Sequence, residues 1–318
     1  MAQLSSTEIT GSAILAAATA DTSTAGNLWF DTEGNALKYS YNYQAPGAWT
    51  AGGSMIAARD NLGGAGTQNA GLAIAGCAPA ESTCTEEYNG SSWSAGGALI
   101  NQRRLTAGAG TQDAGLAIGG CQGAPDIACT EEYNGSSWST GGALITGRTA
   151  LAGTGTQNAG LAFGGKTPGS LSCTEEYDGA AWAAGGALIG ARDGLGGAGT
   201  QNEALAYGGA ISALTEEYNG TSWSAATAMP VGRGDFASGG DQNAAFAAGG
   251  RNPGMTATVV EYDGSVWSDG TSMITARCIL AGAGTQSTAL AFGGSTPSKQ
   301  SATEEYTLPG PAICACAL

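Results

Sequence analysis

Between Trp49 and Tyr306 the chain repeats one unit of about 44 residues, and no other feature narrows its possible folds so far. Trp recurs at 49, 93, 138, 182, 223 and 267, and Tyr at 88, 133, 177, 218, 262 and 306. Arg recurs at 59, 104, 148, 192, 233 and 277. The stretch Thr130–Gly165, TEEYNGSSWSTGGALITGRTALAGTGTQNAGLAFGG, contains every element of the unit. So short a unit cannot bury the faces of its own strands, so copies must stack on one another.

Each period parses into four strands. After the Arg comes a Gly/Ala-rich segment, Leu151–Gly155, then a polar turn at Thr156-Gln157-Asn158 and a second strand, Ala159–Gly164. A variable loop leads to Thr174–Tyr177, and Asp178-Gly179 turns the chain into a fourth strand around Trp182. Strand length, turn residues and period together predict an all-β chain with four strands per repeat, the composition of a β-propeller blade. The 55 glycines follow no three-residue period, which excludes collagen; they recur at fixed places, as turns and close packing require. Inner strands converge on the ring axis, so Gly and Ala belong there, and the Trp and Tyr rings fill the wider space between blades.

Counting turns, Gly-Gly strand ends, Tyr strands and Trp strands gives six of each. The first Trp strand, Ala48–Gly53, precedes any Tyr strand, and the last Tyr strand, Thr303–Tyr306, has no Trp strand after it. Joining the two closes a six-bladed ring and removes the open edges that would invite aggregation. Leu37–Tyr43 competes for the third-strand place in that blade, and the motif favours Thr303–Tyr306. The expected organisation is an N-terminal arm and β-hairpin over 1–45, the propeller over 46–308, and a C-terminal tail over 309–318.

The Gly-Gly pair, the Tyr, the Trp and the Arg opening the next blade resemble the kelch motif over roughly Trp49–Tyr306. Departures are local: Ala75-Gly76 replaces Gly-Gly, and Val260 replaces the first Glu of one Glu pair. The resemblance implies that each Arg (Arg59, Arg104, Arg148, Arg192, Arg233, Arg277) pairs with a Glu of the Tyr strand. Adjacent strand residues face opposite ways, so one Glu of each pair meets the Arg. The second Glu is present in all six copies, which selects Glu87, Glu132, Glu176, Glu217, Glu261 and Glu305.

Six of the eight cysteines fall inside the repeats. Cys77 and Cys84 flank one loop between second and third strands, and Cys121 and Cys129 flank the next. That placement points to loop-closing disulfides Cys77–Cys84 and Cys121–Cys129, with a four-Cys zinc site as the other reading, though the spacings differ from C-x₂-C. Cys173 occupies the later place alone, and Cys278, Cys314 and Cys316 have no assignable role.

Chemistry missing from the sequence limits the function. There is no His, hence no Ser-His-Asp triad, no His-ligated copper and no HExxH zinc site. No cofactor and no metal are expected, and the chain reads as a non-enzyme. A formal charge of −15 disfavours nucleic acid and anionic membrane surfaces. No run reaches the ~18 apolar residues of a membrane helix, and Met1–Asp21 lacks the basic region of a secretory signal.

Function falls to what the repeat does not copy. The loops between second and third strands read CAPAESTC, CQGAPDIAC, KTPGSLSC, AISAL, RNPGMTAT and STPSKQSA, varied letters on a constant frame. Gln122, Asp126, Lys166, Arg251, Asn252, Met255, Lys299 and Gln300 are the candidate binding residues of that face. The hairpin Gly26–Asn42, GNLWFDTEGNALKYSYN, resembles one found in tail-fibre and other virion proteins of tailed bacteriophages, and the TEEYNGSSW repeats resemble kelch-like proteins of marine phages. The resemblance implies a virion component, a tail-fibre, receptor-binding or decoration protein. It would dock other virion proteins through 1–45 and meet a host-surface glycan or protein through its loops. The runner-up is a cellular kelch-type scaffold, or a glycan-processing enzyme on a propeller. The sequence leaves a homo-oligomer open.

Overall fold

The computed structural model describes residues 28–31, 36–43, 46–123, 126–308 and 312–317. The arm expected over the first 25 residues and the turn at 32–35 lie outside them. The described residues form strands and turns with no helix, so none is long and apolar enough to cross a membrane. The chain divides into two units, Ala48–Thr307 and the remainder.

Ala48–Thr307 is a six-bladed β-propeller of antiparallel four-stranded blades. Blade 1 runs outward from its inner strand, Gly63–Thr67, through Ala70–Ile74 and Thr85–Tyr88 to Trp93–Ala95. Blades 2 to 5 repeat this order. Blade 6 takes Ala281–Thr285, Thr288–Phe292 and Thr303–Thr307 from the C-terminal side and Ala48–Ala51 from the N-terminal side. Trp49 pairs with Tyr306 and Thr50 with Glu305, the register of the Trp and Tyr strands in every other blade. The ring closes as the motif count requires.

Apolar burial lies in six clusters, each combining residues of neighbouring blades. Leu72, Leu116, Leu161, Leu205 and Leu290 are fully buried, and each Trp ring packs on the Tyr ring of its own blade with centroids about 5 Å apart. Inner strands approach until only hydrogen fits: a Cβ on Gly64 would lie 2.4 Å from the carbonyl oxygen of Gly282 in blade 6.

Polar latches add direction to these seams. The third strand alternates, so Thr85 and Glu87 face blade 2 while Glu86 and Tyr88 face blade 6. Trp138 Nε1 accordingly donates to Thr85 Oγ1 at 2.9 Å and the Tyr133 hydroxyl donates to Glu87, while Tyr88 donates to Glu305. The glutamine of each polar turn donates to two carbonyls of the preceding blade, as Gln112 Nε2 does to Gly71 and Tyr88. Gln68 makes the closing pair, to Ala289 and Tyr306.

The second unit contains a three-stranded antiparallel sheet. Leu28–Asp31 pairs with Ala36–Tyr43, giving the expected hairpin, and Ala36–Tyr43 pairs in turn with Ala312–Ala317. The segment expected as a tail is thus a strand over these six residues, in the register Tyr43 to Ala312 and Lys38 to Ala317.

Candidate functional site

One rim of the propeller carries the links between blades and the loops between second and third strands, hydrogen-bonded to each other: Arg103 N donates to Ser82 O, and Gly76 N to Arg103 O. At the centre of this rim each link places one residue in the left-handed region, Asn61, Leu105, Ala150, Gly194, Asp235 and Ile279, with φ between 53° and 62°. That conformation costs a non-glycine residue roughly 1–3 kcal/mol. A closed circle of backbone bonds offsets it. Leu105 N donates to Asn61 O, Ala150 N to Leu105 O, Gly194 N to Ala150 O, Asp235 N to Gly194 O, Ile279 N to Asp235 O and Asn61 N to Ile279 O, at 2.7–3.1 Å. This circle frames the mouth of a central channel of about 270 Å³ walled by the Gly/Ala-rich inner strands.

Beneath the links lie the repeated arginines, and the structure corrects two assignments. The buried Arg of the second copy is Arg103, fully buried beside Glu131; Arg104 is half-buried on the rim, 3.2 Å from Glu81. The partner Glu is the first of each pair. Arg59 lies 3.2 Å from Glu86, Arg148 3.1 Å from Glu175 and Arg277 2.9 Å from Glu304, and Arg192 contacts Glu216. The Arg arrives from the preceding seam, which only the first Glu faces. The second Glu faces the following seam and accepts a tyrosine hydroxyl, as Glu132 does from Tyr177 and Glu176 from Tyr218, both at 2.5 Å. Glu217 accepts from Tyr262 at 2.8 Å, and Glu261 lies beside Tyr306.

The first Glu also holds the link itself. Glu86 accepts from the N–H groups of Ile56 and Ala57, and Glu131, Glu175, Glu216 and Glu304 repeat this with the N–H of Ile100, Ile145, Ile189 and Ile274 at 2.6–2.7 Å. Blade 5 departs at both ends of this bond. Val260 has no carboxylate, and the link residue opposite is Pro230, which has no N–H. Arg233 keeps the bonds to the carbonyls of Thr258, at 2.8 Å, and Gly249 that Arg103 and Arg277 also make to their own loops, and the carboxylate acting on it is Asp269. Burial depresses the pKa of Arg59, Arg103, Arg233 and Arg277, against the pull of the facing carboxylate where there is one.

Around the channel mouth the uncopied residues form a charged collar. Lys166 Nζ lies 3.1 Å from Asp193, Arg251 Nε 3.7 Å from Asp235, and Lys299 Nζ 3.8 Å from Asp60 and 2.8 Å from Cys77 Sγ. Burial pushes the Asp235 carboxyl above the usual carboxylate range, and nearby Asp193 adds to the rise against the pull of Arg251 and Lys166. Of the candidates from the loops, Lys166, Arg251 and Lys299 join this collar. Met255 is exposed on a two-residue hairpin formed by Arg251–Asn252 and Gly254–Met255, and Gln122 is exposed. Asp126 pairs with Cys121 as an isolated bridge. Gln300 turns back onto its own loop, donating to Thr296 Oγ1 and Ser298 O. Asp60, Glu81, Asp193 and Asp235 were missed. Their signal was available, because Glu81 lies in the variable loop Cys77–Cys84 and the two positions after each Arg, which hold the other three, vary as freely as the loops do.

The loop disulfides are absent. Cys77, Cys84, Cys121 and Cys129 are all free thiols. Backbone register separates them: Cys84 O accepts from Ala75 N, two residues before Cys77, while Cys77 pairs with Asp60 and Glu81. Cys121 likewise pairs with Arg104 and Asp126, while Cys129 O accepts from Gly119 N. Among the described residues no three His, Cys, Asp or Glu side chains cluster as a metal site would require.

No protein-family model matches this chain, and no curated protein matches it. Among solved structures it is similar to that of YjhT, with a TM-score of 0.66 at 12% identity, over 83% of this chain and 99% of the other. At that identity the likeness is one of fold alone, and the six blades of the chain's own topology make it a six-bladed β-propeller.

Proposed function

We propose that this chain is a non-enzymatic recognition protein, a kelch-like propeller built into a tailed-phage virion as a tail-fibre, receptor-binding or decoration component. The rim of links and loops is its contact face, and the unit containing the hairpin is its docking segment to other virion proteins. The observation that carries the reading is the one-sidedness of the propeller. The repeat copies its Tyr, Trp, Gln, Glu and buried Arg as latches between blades, and the uncopied collar charges gather round one channel mouth. Fixed frame and varied rim are what a binding surface needs. The virion assignment is supported by the hairpin Gly26–Asn42 and the TEEYNGSSW repeats.

A cellular kelch-type scaffold would share the frame and the rim. Copurification of the full chain with intact particles separates the two readings. Replacing the Arg251–Met255 segment by the Ala210–Leu214 sequence should leave thermal stability near wild type and abolish binding of the protein to host cells or to its particle. Unchanged binding would remove the rim from the reading.

A further inference from the structure

The rim differs from the rest of the propeller in two independent ways. The first is apolar. The link sequences place a Leu or Met before an Ile, the first buried and the second turned out: Ile56, Ile100, Ile145, Ile189 and Ile274 are 54–65% exposed. Pro230-Val231 fills the sixth place, with Val231 47% exposed. Each isoleucine is held by its own N–H on a buried glutamate, so the knobs are fixed. Ile211, Leu214 and Met255 on the adjoining loops add to them. Of the eleven exposed large hydrophobics among the described residues, nine lie on this rim; Val266 and Leu308 do not.

The second is charge. All ten Lys and Arg of the propeller belong to the links and loops of this rim. Ten carboxylates balance them: Asp60, Glu81, Asp126, Asp193, Asp235 and the five first glutamates. None of the propeller's other twelve carboxylates forms a salt bridge, six of them along the seams and six on the far turns and outer strands, and of these Asp269 alone acts on a rim cation, Arg233. Two copies meeting by any other face would bring unbalanced negative charge together. The rim alone is neutral, and it carries the apolar knobs.

We propose that the rim binds the rim of a second copy of this chain, face to face about a two-fold axis. Such a contact is isologous, each knob ring meeting its own counterpart, and it leaves both acidic faces in solvent. The inference rests on reading the rim as a contact face and names the partner it takes in the free protein.

Sedimentation equilibrium of the purified full chain over a concentration series tests it. A monomer–dimer equilibrium is expected. Because the charges on the rim are balanced and those elsewhere are not, added salt should tighten the dimer or leave it unchanged. The triple variant Ile56→Ser, Ile145→Ser, Ile189→Ser, with wild-type thermal unfolding, should weaken it about tenfold for each knob removed. Val266→Ser on the far face should not. A wild-type chain monomeric throughout the series, a dimer dissolved by salt, or a dimer indifferent to the triple variant would each overturn the proposal. A monomer whose triple variant still loses particle or cell binding would overturn the pairing while leaving the rim as a contact face. Failure of the loop replacement alone would instead count against the function proposed above.

Discussion

The single irregular blade explains how the repeated residues work. In five blades a buried Arg, a buried Glu and a link N–H form one unit, and in blade 5 two of the three are gone together, Glu to Val260 and the N–H to Pro230. A lone Val260 would strand a link N–H, and a lone Pro230 would leave a carboxylate short of its donor. Glu131→Gln, which leaves Arg103 buried without a counter-charge, should cost about 3–5 kcal/mol in denaturant unfolding. Glu132→Gln keeps an acceptor for the Tyr177 hydroxyl and should cost less. In blade 5, Val260→Glu and Pro230→Ile should each destabilise alone and couple favourably together, by about 0.5–3 kcal/mol. Strict additivity would show that the three groups are independent.

At the scale of strands and loops, register decides which residues meet, and register is where sequence reasoning had least to work with. The loop from Cys77 to Cys84 begins with Cys77 paired to Asp60 and ends with Cys84 opposite Ala75, so its flanking thiols sit at different heights. Peptide mapping after alkylation of the unfolded, unreduced chain should recover Cys77, Cys84, Cys121, Cys129, Cys173 and Cys278 as free thiols, and a reductant should leave the melting temperature unchanged. A Cys77–Cys84 disulfide peptide would contradict the register. The strands, their order and the closing pair Trp49–Tyr306 were legible because they repeat. Presence in every copy misled the choice between the two glutamates, since both roles are copied and only alternation with direction of approach tells them apart. Gln112 and its equivalents read as turn residues because a carbonyl acceptor in the preceding blade leaves no mark in sequence. The isoleucine knobs were hidden the same way: Leu-Ile reads as core, and only the link's path turns Ile outward.

For the molecule as a whole, stability resides in six seams that close on themselves, so opening one removes a neighbour from the next. Each seam holds a tyrosine hydroxyl beside a glutamate. Burial, reinforced by the hydrogen bond to that carboxylate, raises Tyr88, Tyr133, Tyr177 and Tyr218 to about 12, as it does Tyr306 beside Glu261. Tyr262 is raised in the same way. A tyrosine whose pKa in the folded chain exceeds the roughly 10 of the unfolded chain binds its proton more tightly when folded. Its contribution is therefore complete below about pH 10 and is lost as pH rises toward 12. Six such groups act on one closed ring, so the loss should be concerted. In an alkaline titration the tyrosinate absorbance of the propeller should rise together with the loss of β-sheet circular dichroism, in one transition inside that window. Seven of the chain's ten tyrosines lie in the propeller. If more than the other three ionise while the dichroism is still native, the seams do not hold their hydroxyls as the geometry requires, and ring closure does not depend on them.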